Sequence, residues 1–383
     1  MKIVFPDYEN SILGVASSLL HHFGILTPHP GLEQVDKLLT LPCKNIVLLI
    51  LDGLGSACLH RLSPPESFLR RHYLTDLSSV YPCTTTAATT SLLTGLSPLE
   101  HGWIGWNAWF KEYGRIVDLF LDRDSFAGIT IEPSPAQSLL PFEDVVAKIE
   151  RSKDSSDENS VQCRRVLPPF AENGVSHFAD FVDKVGAFCR EPGRRLILGY
   201  WYEPDTLMHR EGPYSPEVRQ ELETMDQFLT RLDSGLDDTL MIITADHGQV
   251  EITREVFLDD IPDLMDCLIL PPSLEVRAAS LFVKPSAITR FESLFQERLG
   301  DCFLLMPHRE VLERGLFGSG TPHRKIDDFL GDYLACGTGQ TILRYRSLFN
   351  RPRTPFKGHH AGLCEEEMLV PLIASEPHTK ITC

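Results

Sequence analysis

The ten cysteines include no Cys-x-x-Cys pair and are scattered along 383 residues. In an unexported chain such cysteines are expected to be reduced thiols, some of them buried. No stretch approaches the ~18 consecutive apolar residues that a membrane span requires. The N-terminal run MKIVFPDYENSILGV has one early lysine, and Asp7 and Glu9 interrupt its apolar residues, so it does not read as a signal peptide. A soluble, cytoplasmic protein with no membrane partner is expected. Basic excess is also missing: 36 Lys and Arg face 53 Asp and Glu, a net charge of -17. That balance argues against gripping a nucleic-acid polymer or an anionic membrane by charge. It leaves room for a small acidic substrate held by metal ions, which invert the local field. LDGLGS at 51–56 lacks the spacing of a Walker loop or a dinucleotide fingerprint. Internal repeats and low-complexity tracts are absent.

What remains is a globular composition, 43% apolar and 23% charged. NIVLLIL at 45–51 is a strand-length apolar run, and runs apolar on both faces suit buried parallel strands. Similar runs occupy 195–200, 240–244 and 370–374, with helix-like segments between them, notably 216–232, and a further helix-like segment at 9–24 ahead of them. The alternation predicts an α/β fold with a mostly parallel central sheet flanked by helices. Residues 256–345 are less regular and read as a smaller inserted subdomain. The core is then expected over 1–255, with its final part at 346–383. The polar run 151–163 is expected to be an exposed loop.

Chemistry-bearing residues gather where an α/β sheet puts its ligands, beyond the carboxyl ends of strands. Asp52 follows the first run. Asp246 and His247 follow LMIIT and Ala245. Asp205 and His209 follow RLILGYWYEP, four residues apart, on one face of a helical turn. Carboxylates mixed with imidazoles suit Zn²⁺ or a similar transition metal. Between these lies YPCTTTAATTSLLTGLSPLEHGWIGWN at 81–107, where a strand-like run, 77–81, leads through Pro82 to three threonines. A helix start there would suit a phosphate group, and a threonine hydroxyl could attack phosphorus once its alkoxide is stabilised. Each piece alone also reads as a turn, a cap or a solvated pair.

Taken together, the threonine stretch, LDG at 51–53, EPDTLMHREGP at 203–213, TADHG at 244–248 and KGHHAGL at 357–363 resemble the alkaline phosphatase superfamily. More narrowly they resemble its nucleotide pyrophosphatase/phosphodiesterase branch, in its soluble bacterial form. The resemblance implies two divalent ions, Zn²⁺ first and Mn²⁺ second. One would be held by Asp205, His209 and His360, the other by Asp52, Asp246, His247 and Thr85. It also implies that Thr85, nine residues before the threonine of TGLSPLEHG, is the nucleophile of a covalent intermediate. Thr84 and Thr86 stay open on chemistry alone.

There are departures. Thr86-Ala87-Ala88 stands where many members have Phe-Pro-Asn. The phosphoryl-binding asparagine falls by strict spacing on Trp106, with Asn107 next to it, so both are substrate-binding candidates. Ala361 follows His360 where glycine is usual. Trp103, Trp106, Trp109 and Phe110 could stack on a base or belong to the core. The expected activity is a metal-dependent phosphodiesterase or nucleotide pyrophosphatase acting on a small phosphate ester or nucleotide. The alternatives are a phosphomonoesterase or phosphomutase of the same superfamily, or a non-catalytic metal-binding relative. A monoesterase would need a basic pocket residue, for which Lys111, Arg115 and Lys357 are candidates.

Overall fold

The computed structural model describes residues 1–152, 161–346 and 355–378. The predicted loop at 151–163 falls mostly on 153–160, outside the described residues.

The central sheet has six strands: β1 (Asn45–Leu51), β2 (Tyr73–Ser78), β3 (Gln162–Val166), β4 (Arg195–Trp201), β5 (Thr239–Thr244) and β6 (Leu369–Ser375). Their order across the sheet is β2-β6-β5-β1-β4-β3. β1 pairs in parallel with β4 and β5, and β3 with β4. β6 runs antiparallel to both β5 and β2. Every residue of β1 and β5 is buried, as expected of strands covered on both faces. The expected strand 77–81 lies earlier in the chain. Its ladder with β6 ends at Ser78, and the following residues bend toward Pro82.

The flanking helices follow the apolar pattern. Among them are α1 (Ile12–His22), α2 (Thr85–Thr94), α3 (Asp205–Glu211) and α4 (Pro216–Ser234). In α4 the buried residues are Val218, Leu222, Met225, Leu229 and Leu232, a single stripe at helical spacing. The Ser215 side chain caps the start, and Pro216 takes the first helical position, where no N–H is needed. Truncating one of these leucines to alanine would cost about 2–5 kcal/mol.

A second, antiparallel sheet of seven strands lies in the order 303–307, 333–337, 278–281, 273–274, 107–110, 115–118, 123–124. It therefore draws on 107–124 as well as on the region expected to form the inserted subdomain. The junction is the pairing of Leu274 with Asn107. Phe110, Phe317, Phe329 and Leu334 pack on this sheet in a core separate from that of the central sheet.

Candidate metal centre and threonine cavity

The topology delivers the polar residues to one edge. Asp52 follows β1, Asp246 and His247 follow β5, and Asp205 opens α3 just after β4. These three strands are parallel neighbours, so their carboxyl ends lie side by side. β6 runs the other way, so the loop before it, with His359 and His360, reaches the same edge. Main-chain bonds lock the arrangement. The Asp52 N–H donates to the Trp201 carbonyl at 2.9 Å, and the Asp205 N–H to the Asp52 carbonyl at 3.0 Å. Gly53 has φ +75, and a Cβ there would stand 2.8 Å from the Asp205 Cα, so only glycine fits.

Two groups of ligand-type side chains result: Asp205, His209 and His360, and Asp52, Asp246 and His247, each with its ligand atoms within 4.8 Å of one another. The His209 Nε2 is 3.3 Å from Asp205, and the His247 Nε2 is 3.4 Å from Asp52 and 3.5 Å from Asp246. The groups abut, with the His247 and His360 rings stacked at 3.8 Å between centroids. The histidines are oriented from behind. Nδ1 of His209 donates to the Gly358 carbonyl at 2.8 Å, that of His247 to Gly248 at 3.1 Å, and that of His360 to Cys83 at 3.2 Å. Each ring then presents an Nε2 lone pair inward, which is how ligating histidines are prepared.

The charges differ from ring to ring: burial would lower the pKa of His209, but the neighbouring Asp205 outweighs it and raises it. Burial, with Asp246 and Asp205 nearby, pushes the Asp52 carboxyl well above its ordinary range. Burial raises Asp246 as well. Burial would also raise Asp205, but His209 and the Gln249 amide outweigh it and hold this carboxyl low. Burial and the neighbouring His247 and His359 keep His360 from taking a proton. Asp52 Oδ1 and Asp246 Oδ2 are buried without a hydrogen-bond partner. Buried oxygens rarely stay unpaired, and a cation satisfies them. The residues fit a pair of divalent ions.

The threonines now differ. Thr85 is the first residue of α2, and its Oγ1 lies 3.2 Å from the His247 Nε2. The Thr84 hydroxyl donates to Glu275 Oε1 at 2.6 Å. Thr86 is fully buried. Thr85 faces a cavity of about 950 Å³, also lined by Trp106, Asn107, Glu275, His209 and His360. The Asn107 Oδ1 accepts the Leu274 N–H at 2.9 Å, which leaves the amide NH₂ as a donor. Trp106 is exposed on the cavity wall, whereas Trp103 and Phe110 belong to the second core. Ala361 has φ +88, a conformation that costs a side-chain-bearing residue roughly 1–2 kcal/mol beside His360.

The basic candidates are displaced. Lys111 pairs with Asp328, Arg115 with Asp124 and Lys357 with Glu211, and none of the three lines the cavity. Arg123 does. Other participants lie outside the sequence motifs, Gln249 just beyond one of them. The Tyr200 hydroxyl donates to Asp52 from the end of β4. The Gln249 amide donates to Asp205 Oδ1 at 2.5 Å. Glu275 also accepts the Trp106 N–H at 2.7 Å, and burial raises its pKa to about 7. The fully buried Arg277–Glu367 pair braces the loop that follows His360, since Glu367 accepts the Gly362 and Cys364 N–H groups. Gln249, three residues after Asp246, was the easiest of these to suspect.

The sequence model of the type I phosphodiesterase/nucleotide pyrophosphatase family matches residues 46–292. Human ectonucleotide pyrophosphatase/phosphodiesterase family member 7 is 33% identical over 79 residues, 19% of this chain. That match spans 17% of the relative's length. Murine ectonucleotide pyrophosphatase/phosphodiesterase 5 is similar in structure, with TM-score 0.63 and 17% identity over 87% of this chain and 88% of that one. An inactive form of the same murine protein is known in complex with AMP, with TM-score 0.61, 17% identity and the same coverage, 87% and 88%. Phosphonoacetate hydrolase from Sinorhizobium meliloti, in complex with phosphonoformate, has TM-score 0.60 and 15% identity over 89% and 91% of the two chains.

Proposed function

Since the chain belongs to the type I phosphodiesterase/nucleotide pyrophosphatase family of hydrolases, we propose that it cleaves small phosphate diesters or nucleotide pyrophosphates through a covalent intermediate on Thr85. One observation carries the reading: two Asp/His groups turn their Nε2 and carboxylate oxygens toward a shared space beside Thr85, at the start of α2. Asp52, Asp246 and His247 would hold one ion, joined by the Thr85 hydroxyl. Asp205, His209 and His360 would hold the other. The donor mixture favours Zn²⁺, with Mn²⁺ second. When bound, such ions supply charge neutralisation at phosphorus and acidify the attacking hydroxyl and water.

The chain's own residues then do the following. The first-turn N–H groups of α2 and the Asn107 amide offer donors to the non-bridging phosphoryl oxygens. The Thr85 Oγ1 attacks phosphorus in line, and its proton leaves toward solvent. The leaving oxygen departs on the opposite side and takes up a proton. Water then cleaves the phosphothreonine and restores the hydroxyl. Trp106 offers a flat wall to the substrate's organic part. AMP in the murine relative supports a nucleotide-sized occupant of this cavity. Among the described residues no helix is long and apolar enough to cross a membrane, and nine cysteines are free.

The test is a hydrolysis panel on the zinc-loaded protein. It compares a nitrophenyl phosphodiester, the matching monoester and a dinucleotide pyrophosphate. The diester is expected to exceed the monoester. A monoester cleaved much faster replaces this reading with a phosphomonoesterase or phosphomutase.

A further inference from the structure

A row of paired residues crosses the second sheet beside Thr85. Leu274 pairs with Asn107, Asn107 with Asp118, and Asp118 with Arg123. Directly paired residues project from the same face of a sheet, and all four line the cavity. Neighbouring strands lie about 4.8 Å apart, so the Arg123 backbone stands two strands, roughly 10 Å, from that of Asn107. The arginine side chain shortens that gap.

Arg123 pairs with Asp118 through one nitrogen and, among the described residues, leaves its other donors without a hydrogen-bond partner. Its Nη2 donates to Asp118 Oδ2 at 3.0 Å. Its Nε is buried and makes no hydrogen bond. The other Asp118 oxygen is occupied by the Ser125 hydroxyl at 2.5 Å. The two other arginines of the cavity have carboxylate partners away from the paired row. Arg344 holds both oxygens of Glu255 at 3.1 and 3.2 Å. Arg346 bonds Asp259 and Asp260 and lies 3.8 Å over the Phe257 ring. A guanidinium with donors to spare is a fork for a carboxylate or a phosphate.

We propose that Arg123 forms a second anion subsite, and that the substrate carries a carboxylate or phosphate group at a distance from the phosphoryl group that reacts at Thr85. The inference rests on the proposed function and narrows its substrate class. The Asn107 end of the row receives the reacting group. The Arg123 end receives the second anion, and the span between them selects its separation. A substrate whose remote part is neutral leaves the arginine facing only Asp118.

The test is calorimetric binding to the zinc-loaded full chain, using alkylphosphonates of increasing chain length that end in methyl, carboxylate or phosphonate. At one chain length an anionic end is expected to tighten binding about tenfold over methyl, the scale of one charge-assisted contact. The carboxylate and phosphonate arms show which anion is preferred. Arg123→Met should reduce the ratio to near one, and Arg123→Lys should keep part of it, since a point charge remains without the fork. The proposal is overturned if no length shows a gain, or if the gain survives Arg123→Met in protein whose circular dichroism is unchanged. Methyl-ended phosphonates that bind without any anionic gain remove this subsite and leave the proposed function standing. Phosphonates that do not bind at all overturn both.

Discussion

Arg277 and Glu367 are both 0% exposed, and they join the second sheet to the loop that follows His360. The Glu367 carboxylate accepts four hydrogen bonds: Arg277 Nε at 2.9 Å, Arg277 Nη2 at 2.6 Å, Gly362 N–H at 2.9 Å and Cys364 N–H at 3.0 Å. The Arg277 Nη1 donates onward to the carbonyls of Gly339 and Thr341. Arg277→Met leaves a buried carboxylate with only two main-chain donors, and Glu367→Met leaves a buried guanidinium without its counter-charge. Each should cost about 3–5 kcal/mol, because the surviving charge stays out of water. The double variant leaves no charge, but the Gly362 and Cys364 N–H groups and the Gly339 and Thr341 carbonyls all lose these partners, at ~1–3 kcal/mol each. Each single change already carries two of these losses together with a stranded charge, so the double should fall well under their sum. Urea unfolding of the four proteins, followed by tryptophan fluorescence, measures this. A total stability of about 5–15 kcal/mol leaves the single variants close to unfolding. A second readout is zinc affinity at the His360 group, which should weaken roughly 10–100-fold as the loop loosens. A single-variant cost below about 1 kcal/mol, or strict additivity, refutes the reasoning.

Thr85→Ala should keep both ions, since six carboxylate and imidazole ligands remain, yet lose roughly three or more powers of ten in turnover. Thr85→Ser should retain more. A trapped phosphopeptide covering 81–95 checks the covalent step, and full activity of Thr85→Ala would rule it out. Asp246→Ala and His360→Ala should each lower zinc content at one group and spare part of the other. Elemental analysis tests this, and two full equivalents of zinc in both variants would count against the assignment. His101 accepts the Trp103 N–H at Nδ1 and meets Ser91 through Nε2, and burial lowers its pKa from 6.5 to about 3. The unfolded chain thus binds this proton first. Its contribution is complete above 6.5 and is lost as pH falls toward 3. His101→Asn should flatten that part of the dependence of the urea midpoint on pH, and an unchanged slope would contradict it.

Much of this protein was legible in one dimension. β1, β4 and β5 are apolar on both faces because helices cover both, and the four runs that carried this pattern became central strands. The Asp and His residues stood out because strand ends hand them over in short local motifs, which the structure gathers into two groups. The second sheet was harder to read. Its strands at 273–274 and 123–124 are two residues long, too short for any periodicity, and its halves lie more than a hundred residues apart. Folding also separated the three threonines: Thr84 and Thr85 both line the cavity, but Glu275 takes the Thr84 hydroxyl, Thr86 is buried, and the Thr85 hydroxyl is left beside His247. Asn107 stood beside Trp106 in the sequence, but only its pairing with Leu274 leaves its amide as a cavity donor. Tyr200, Glu275, Arg277 and Arg123 carry no motif at all. The sequence by itself determined which residue types stand at the strand ends. Tertiary structure decided which polar atoms lose water and which neighbour each then meets, because burial and proximity are properties of the packed chain.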